Sequence, residues 1–100
     1  MLRLLQGDII KIERTKLPVL VVSRDSFNTS GAVIGCPIMD CSDDDPLHVQ
    51  IIADETEGCV QCENVHLLDL EKRGFVKVGT ISLEDRMEIS DRIQNIFEYV

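Results

Sequence analysis

The chain has 100 residues, a net charge of -8 at pH 7, and 44% hydrophobic but only 4% aromatic residues. A chain of this length is expected to form one compact domain over residues 1–100, with a modest hydrophobic core. No apolar run approaches the roughly eighteen residues that a transmembrane helix needs, and the apolar start is interrupted too soon for a secretory signal. We therefore expect a cytoplasmic protein that does not enter a membrane.

Charge is distributed unevenly along the chain. The first 39 residues carry five basic and three acidic side chains, whereas residues 40–67 carry eight acidic side chains and no Lys or Arg. The negative total disfavours non-specific binding of nucleic acid, because attraction to phosphate needs a basic surface. Any anion site is therefore expected to use cations of the N-terminal third, although the same cations can simply form a solvated face.

The first third of the chain predicts strands separated by polar connections. Gly7–Glu13 is rich in β-branched residues, and Val19–Ser23 is a nearly unbroken apolar run of the kind found in central strands. Residues 24–31 contain Asp, Ser, Asn, Thr and Gly, which favour turns, so we expect a loop there. Ala32–Cys36 predicts the next strand.

The remainder predicts three more strands and a terminal helix. The polar residues 40–46 break the chain before strands at Leu47–Ile51 and Cys59–Cys62, with a turn over 54–58 between them, and Phe75–Ile81 predicts the last strand. Ser82 with Asp85 three residues later predicts the N-cap of a helix. Its expected buried face consists of Met87, Ile89, Ile93, Ile96, Phe97 and Val100.

Four blocks of sequence follow one another in a characteristic order. Gly7-Asp8 comes first, Pro18–Asn28 reads PVLVVSRDSFN, Ala32–Ile38 reads AVIGCPI, and Glu63–Asp69 reads ENVHLLD. This order resembles the PemK/MazF family of toxin endoribonucleases, whose members read GD, then RPVLVVSND(A/S)FN, then VVCPIT, then DQIRTID or EQIRTID. The resemblance covers nearly the whole chain.

The resemblance implies a fold, an activity and two kinds of partner. The implied fold is mainly β (α+β), a small twisted antiparallel β-barrel of the CcdB/PemK/MazF type with a C-terminal helix. The implied activity is metal-independent cleavage of single-stranded RNA, with no cofactor. The implied assembly is a homodimer whose groove holds a cognate antitoxin peptide, so that the chain is the toxin of a toxin-antitoxin system.

Two positions depart from the family pattern. The family's catalytic arginine precedes the proline, where this chain has Leu17, and its catalytic threonine follows the isoleucine, where this chain has Met39. The connection that normally ends in the arginine is also shorter here. Neither side chain offers a charge or a strong donor, and losing one such group typically costs about a hundred- to a thousandfold in rate. Activity therefore requires replacement groups.

Candidate replacements lie close by in the sequence. Arg14 and Lys16 are the cations beside Leu17, so they are the predicted catalytic and phosphate-binding cations, or else solvated charges of a hairpin tip. Glu63, which matches the family's acid, and His66, which replaces its arginine, are the predicted proton-transfer groups. His48, on the polar face of a strand, ranks below His66. Further predicted substrate-binding residues are Arg24, Asn28, Gln61 and Asn64.

Four cysteines leave another interpretation open. Cys36 with Cys41 and Cys59 with Cys62 give C-x4-C and C-x2-C spacings reminiscent of paired zinc knuckles. However, odd separations on strands send paired sulfurs to opposite faces, and similar family members often also have cysteine at the places of Cys36 and Cys62, as small apolar core residues. We therefore expect no bound metal, and no structural disulfide in a cytoplasmic chain.

Three functions thus remain open from the sequence. The first is a toxin endoribonuclease with a rebuilt active site. The second is a dimeric module of the same fold that binds an antitoxin-like peptide or another protein without cleaving RNA. The third is a small zinc-binding module.

Overall fold

The protein is a curved antiparallel sheet with one long helix at its C-terminal end. The computed structural model describes residues 4–41, 46–54 and 56–97. The strands are β1 (Asp8–Ile12), β2 (Val19–Val21), β3 (Ala32–Met39), β4 (His48–Ala53), β5 (Thr56–Gln61), β6 (His66–Asp69) and β7 (Phe75–Thr80). The helices are α1 (Asp25–Asn28), directly after β2, and α2 (Leu83–Ile96).

The strands form one seven-stranded sheet in the order β4-β5-β3-β2-β1-β7, with β6 also pairing with β3. β3 is the central strand: residues 35–37 pair with β2, residues 38–39 with β5, and residues 32–35 with β6. Because Gly35 pairs with β2 on one edge and with β6 on the other, β5 and β6 share one edge of β3. The predicted mainly β fold with a C-terminal helix is confirmed.

Alternating side chains give the sheet an apolar surface on both faces. The inner core, which includes one residue of α2, consists of Ile9, Leu20, Cys36, Ile38, Val49, Ile51, Ala53, Val60, Cys62, Ile81 and Ile89. The outer core consists of Leu4, Ile10, Ile12, Val21 and Val33, with Val19, Leu68, Leu70 and Phe75 packed against it. Burial on both faces explains why Val19–Ser23 reads as an unbroken apolar run.

The Gly7-Asp8 pair has a structural role. Gly7 has a φ of +98°, and a Cβ at that position would overlap with the side chain of Arg86, so a larger residue is excluded. Asp8 is buried, and its carboxylate accepts hydrogen bonds from the amide of Leu5 at 2.8 Å and from Oγ1 of Thr80 at 2.9 Å. This pair therefore joins the entry of β1 to the end of β7.

Residues 24–31 are not simply the loop that the sequence predicted, because they contain the single-turn helix α1. The side chain of Asn28 ties this turn to the sheet: Nδ2 donates to the carbonyl of Leu4 at 3.0 Å and to that of Ser23 at 3.2 Å. Oγ of Ser23 donates to Oδ1 of Asn28 and accepts from the amide of Ile34 at 3.0 Å. These bonds, which propensity does not reveal, hold the helical turn in place.

The extents of the strands differ from the prediction in several places. β3 continues to Met39 instead of ending at Cys36, and the turn predicted over 54–58 is shorter, because Thr56 already pairs with Ala53. β6 was not predicted as a strand. Its sequence lacks a period-two alternation, so the pattern does not indicate a strand. The segment is a strand because it pairs with β3.

The capping prediction for the terminal helix is confirmed, since Oγ of Ser82 accepts from the amide of Asp85 at 3.2 Å. The predicted buried face was too wide. Within α2, only Ile89 is fully buried and Ile93 packs at the edge of the inner core, because the helix covers a narrow part of the sheet. The exposed members are Met87, Ile96 and Phe97, and Val100 lies outside the described residues.

Neither described helix is long and apolar enough to cross a membrane.

Candidate functional site

The two positions that depart from the family pattern come together in space. The carbonyl of Pro18 accepts from the amide of Ile38 at 2.9 Å, and Val19 pairs with Pro37. Continuing this antiparallel register places Leu17 opposite Met39. Leu17 is 39% exposed and Met39 is 38% exposed. We call these two residues the apolar pair, because the surface that they form offers neither charge nor a hydrogen-bond donor.

Four polar residues gather where β4 begins and β5 ends. His48 pairs with Gln61 across the hairpin, and Nε2 of His48 lies 2.8 Å from Oε1 of Glu63. Nδ2 of Asn64 donates to Oε1 of Gln61 at 3.3 Å. We call His48, Gln61, Glu63 and Asn64 the polar cluster. Three of its members were predicted as site residues, and the structure adds His48, which the sequence ranked lower.

The apolar pair and the polar cluster share one face of the sheet. Ile38 and Val60 point into the inner core, so the next residue along each strand, Met39 and Gln61, points to the opposite, outer face. His48 pairs with Gln61 and therefore also belongs to the outer face. Since neighbouring strands are about 4.8 Å apart, His48 lies two strands, or roughly 10 Å, from β3.

His66 lies on the same outer face. It pairs with Gly35. Two residues away on each strand, Val33 pairs with Leu68, and both of these residues belong to the outer core. Side chains two residues apart on a strand share a face, so His66 extends the polar side of the outer face along β3. The side chain is exposed. The predicted proton-transfer residues Glu63 and His66 thus both border the outer face.

The predicted cations lie at the tip of the β1–β2 hairpin. The carbonyl of Ile12 accepts from the amide of Thr15 at 3.1 Å, and Arg14 has a φ of +69° inside this turn. Arg14 is exposed and lines a cleft with Phe75 at the start of β7, on the side away from the polar cluster. Lys16 is exposed next to the apolar pair. Lys16 is therefore the better-placed cation.

Two further predicted substrate-binding residues lie elsewhere. Arg24 is exposed immediately before α1, at the end of β2 that is remote from the hairpin tip. The polar atoms of Asn28 are already engaged by Ser23 and Leu4. The structure therefore does not bring Arg24 and Asn28 together with the polar cluster.

The expectation that no disulfide forms is wrong. Cys41 is bonded to Cys59, with their Cα atoms 5.1 Å apart, inside the range that a disulfide requires. The reason lies in the register: Met39 pairs with Cys59, so Cys41 follows two residues beyond that pair. The bond fixes the chain immediately after the apolar pair, and it removes two of the four thiolates that a zinc site built from all four cysteines would need.

Cys36 and Cys62 are buried free thiols of the inner core, as the sequence predicted. Burial raises the pKa of the Cys36 thiol to about 12, and nearby Cys62 and Glu63 add to the effect. Burial likewise raises the pKa of the Cys62 thiol to about 11, with Glu63 adding to it and Arg92 opposing it. Both thiols therefore stay protonated at neutral pH and are poor nucleophiles.

The sequence did not predict the contact of His48 with Glu63, because the predicted turn over 54–58 is longer than the turn in the structure. A two-residue turn after Ala53 fixes the register of the whole hairpin and sets His48 opposite Gln61, two residues before Glu63. Asp54 adopts a φ of +54° in that turn, a conformation that Asp tolerates better than most residues. An Asp at this point was the available signal for the shorter turn.

Comparison with solved structures finds the same fold in proteins of the MazF type. A chain of the MazE-MazF crystal structure from Deinococcus radiodurans has a TM-score of 0.88 at 19% identity, covering 97% of this chain and 98% of that chain. An endoribonuclease from a mycobacterial species has a TM-score of 0.83 at 19% identity, covering 97% and 93%. A mycobacterial endoribonuclease in complex with its cognate antitoxin gives 0.81 at 18% identity, covering 94% of each chain. At these identities, the likeness shows the fold.

Residues 5–97 match the family described as PemK-like, MazF-like toxin of type II toxin-antitoxin system. The chain therefore belongs to this family, and the resemblance drawn from its sequence blocks is confirmed. Among curated proteins, none matches the sequence.

Proposed function

We propose that this protein is the toxin of a type II toxin-antitoxin system and that it cleaves single-stranded RNA in the cytoplasm without a metal, as a single domain over residues 1–100. The observation that carries the proposal is the outer face. It gathers the acid Glu63 with His48, His66 and Gln61 on the face that also holds the two family positions. Proton-transfer groups beside a groove are what cleavage at a 2'-hydroxyl needs.

Phosphate would be held by the hairpin tip. Lys16 and Arg14 make no ion pair within the described residues, and they are exposed on either side of the hairpin. Residues 40–67 contribute no Lys or Arg, so the polar cluster cannot neutralise a phosphate by itself. We therefore assign the phosphate to Lys16, with Arg14 in a supporting position, and the base to the amides Gln61 and Asn64.

The proposed partners are a second copy of the chain and an antitoxin peptide. The support for the peptide is that two solved relatives of the same fold are described with MazE and with a cognate antitoxin. The support for the dimer is family membership together with exposed apolar residues on two elements that follow one another along the chain, Val76 of β7 and Met87 of α2, which are 59% and 60% exposed.

A second candidate function is a dimeric binding module that does not cleave RNA. The apolar pair favours it, because exposed Leu17 and Met39 suit contact with an apolar peptide side chain better than contact with a phosphate. In that case, the antitoxin-like peptide, or another protein, is the ligand of the outer face.

The two candidates are separated by an assay of the purified protein with labelled single-stranded RNA in the presence of EDTA. The toxin proposal expects cleavage of RNA and none of DNA of the same sequence, because DNA lacks the attacking 2'-hydroxyl. Replacing Arg14 and Lys16 by Ala should weaken RNA binding and reduce the salt slope by about 0.7 per cation.

The matched control is Arg24→Ala, which removes the same charge at the remote end of β2. We expect this variant to bind RNA like the parent chain. Binding of an antitoxin-like peptide without any RNA affinity would instead support the binding module.

A further inference from the structure

A histidine–carboxylate pair lies at the end of the β4–β5 hairpin. Nε2 of His48 and Oε1 of Glu63 are 2.8 Å apart, and the side chain of His48 is 12% exposed against 36% for Glu63. The imidazole is thus held inside the protein while the carboxylate reaches the surface. Of the two, Glu63 is the group that can contact a bound substrate.

The backbone around Glu63 is held in a fixed turn. The amide of Asn64 donates to the carbonyl of Gln61 at 3.1 Å, and its side chain donates to Oε1 of Gln61 at 3.3 Å. Glu63 therefore occupies a central position of a turn that is closed by one backbone hydrogen bond and one side-chain hydrogen bond. Gln61 also pairs with His48, so the pairing of β4 with β5 anchors the first residue of this turn.

We propose that Glu63 is the catalytic base of the outer face and that His48 is its positioning residue. The substrate class is a phosphodiester with a neighbouring hydroxyl, as in RNA. The inference rests on the proposed function and assigns two roles within it: the carboxylate takes the proton, and the imidazole orients the carboxylate.

The proposed step balances without a further reactant. The carboxylate of Glu63 takes the proton of the 2'-hydroxyl, the 2'-oxygen forms a bond to phosphorus, and the bond from phosphorus to the 5'-oxygen breaks. The electron pair of that bond leaves with the 5'-oxygen, which takes a proton from water. Glu63 then returns its proton to the hydroxide that remains. The products are a 2',3'-cyclic phosphate and a 5'-hydroxyl.

The hydrogen bond between His48 and Glu63 should hold the carboxylate in the orientation that the step needs. A side chain at position 48 that keeps an N–H donor should therefore keep most of the cleavage rate. A side chain without a donor should lose part of it.

Two charged groups of α2 lie near the same end of β4. Arg92 donates to the carbonyl of Pro46, next to β4, and to Oε1 of Glu88. After burial and Glu63 itself, Arg92 lowers and Glu88 raises the pKa of the thiol of Cys62, the residue before Glu63 in the sequence.

The test compares Glu63→Gln, His48→Gln and His48→Ala with the parent chain in single-turnover cleavage of RNA at neutral pH. Glu63→Gln should lose about a hundred- to ten-thousandfold in rate while binding a 2'-deoxy substrate analogue as the parent does. His48→Gln keeps an N–H donor to Glu63 and should retain most of the parent rate, whereas His48→Ala removes the donor and should lower the rate without weakening binding of the 2'-deoxy analogue. The control Gln50→Ala, at an exposed position on the same face of β4, should cleave at the parent rate.

Each contrary outcome is informative. A Glu63→Gln variant that cleaves like the parent overturns the inference and leaves the proposed function standing. A His48→Ala variant that cleaves at the parent rate overturns the role of His48. A parent chain that binds RNA and never cleaves it overturns the proposed cleavage and this inference together. If Glu63→Gln does not fold, Glu63→Ala serves instead, and unchanged cleavage by it overturns the assignment.

Discussion

Asp8 shows how one residue of a sequence motif can serve the fold and not the chemistry. Its carboxylate is 1% exposed and accepts from Leu5 and Thr80, with Nζ of Lys77 at 3.3 Å. Because removing a hydrogen-bonded buried charge leaves its donors unpaired, we expect Asp8→Asn to lower the free energy of unfolding by about 2 kcal/mol. Urea denaturation measures this directly.

The matched control for Asp8 is Thr80→Ser. It keeps the hydroxyl that donates to the carboxylate and should cost much less than Asp8→Asn. Equal stability of Asp8→Asn and the parent chain would show that the buried carboxylate is not what joins β1 to β7.

The two free thiols give a second prediction at the residue scale. Because alkylation requires the thiolate, pKa values raised to about 12 for Cys36 and about 11 for Cys62 should make both unreactive toward iodoacetamide at pH 8 in the folded protein. In urea they should react at the rate of a model thiol. Mass spectrometry of the labelled protein counts the modified sites, and rapid labelling of folded protein would contradict the burial of these residues.

The same pKa shifts determine the sign of an alkaline effect on stability. The folded thiols hold their protons above the ordinary pKa of 9.0, whereas the unfolded chain loses them there. The folded state therefore binds more protons between pH 9.0 and about 11 to 12, and stability contributed by these groups is lost as pH rises through that window.

At the scale of elements, the disulfide between Cys41 and Cys59 fastens the end of β3 to β5. It closes a loop with a sequence separation of 18, for which loss of the bond should cost about 3 kcal/mol. We expect reduction, or Cys41→Ser, to lower the urea midpoint accordingly. In a reducing cytoplasm, the bond and its stabilisation would be lost.

The control for the disulfide is the Cys41→Ser variant treated with a reductant, which should show no further loss of stability. A thiol titration of the unfolded, unreduced protein should find two thiols, from Cys36 and Cys62. Finding four would contradict the bond.

Periodicity predicted the elements whose burial is decided locally. The strands around Ile9, Leu20 and Val49 carry apolar residues that meet one of the two cores, so pattern and burial agree. Elements whose burial depends on a distant partner were predicted poorly. β6 exists because it pairs with β3, whereas Phe97 has helical spacing but is 72% exposed.

The candidate site was predicted in part, for a related reason. Glu63, Gln61, Asn64 and His66 follow one another along the chain, so their sequence order already placed them together. The contact of His48 with Glu63 needs the register of a hairpin, and the bond of Cys41 to Cys59 needs that of β3 with β5. Neither register follows from composition or from period alone.

At the scale of the whole molecule, charge is divided between two ends of the outer face. The polar cluster lies within an acidic segment, and the cations lie on the β1–β2 hairpin. An RNA strand on the outer face would therefore place its phosphate near the cations on one side and its base near the polar cluster on the other. The apolar pair would lie between them. We therefore expect the apolar pair, and not the polar cluster, to limit the proposed activity.

The most direct test of RNA cleavage on the outer face is the cleavage rate of the double variant Leu17→Arg with Met39→Thr, in EDTA, on the RNA used for the parent chain. We expect the rate to rise by at least about a hundredfold, because each substitution supplies a donor for the charge that develops on the phosphate. The exchanged variant Leu17→Met with Met39→Leu, which keeps the pair apolar, should remain at the parent rate. An inert double variant, together with unchanged RNA affinity after Arg14→Ala with Lys16→Ala, would contradict RNA cleavage and leave the binding module.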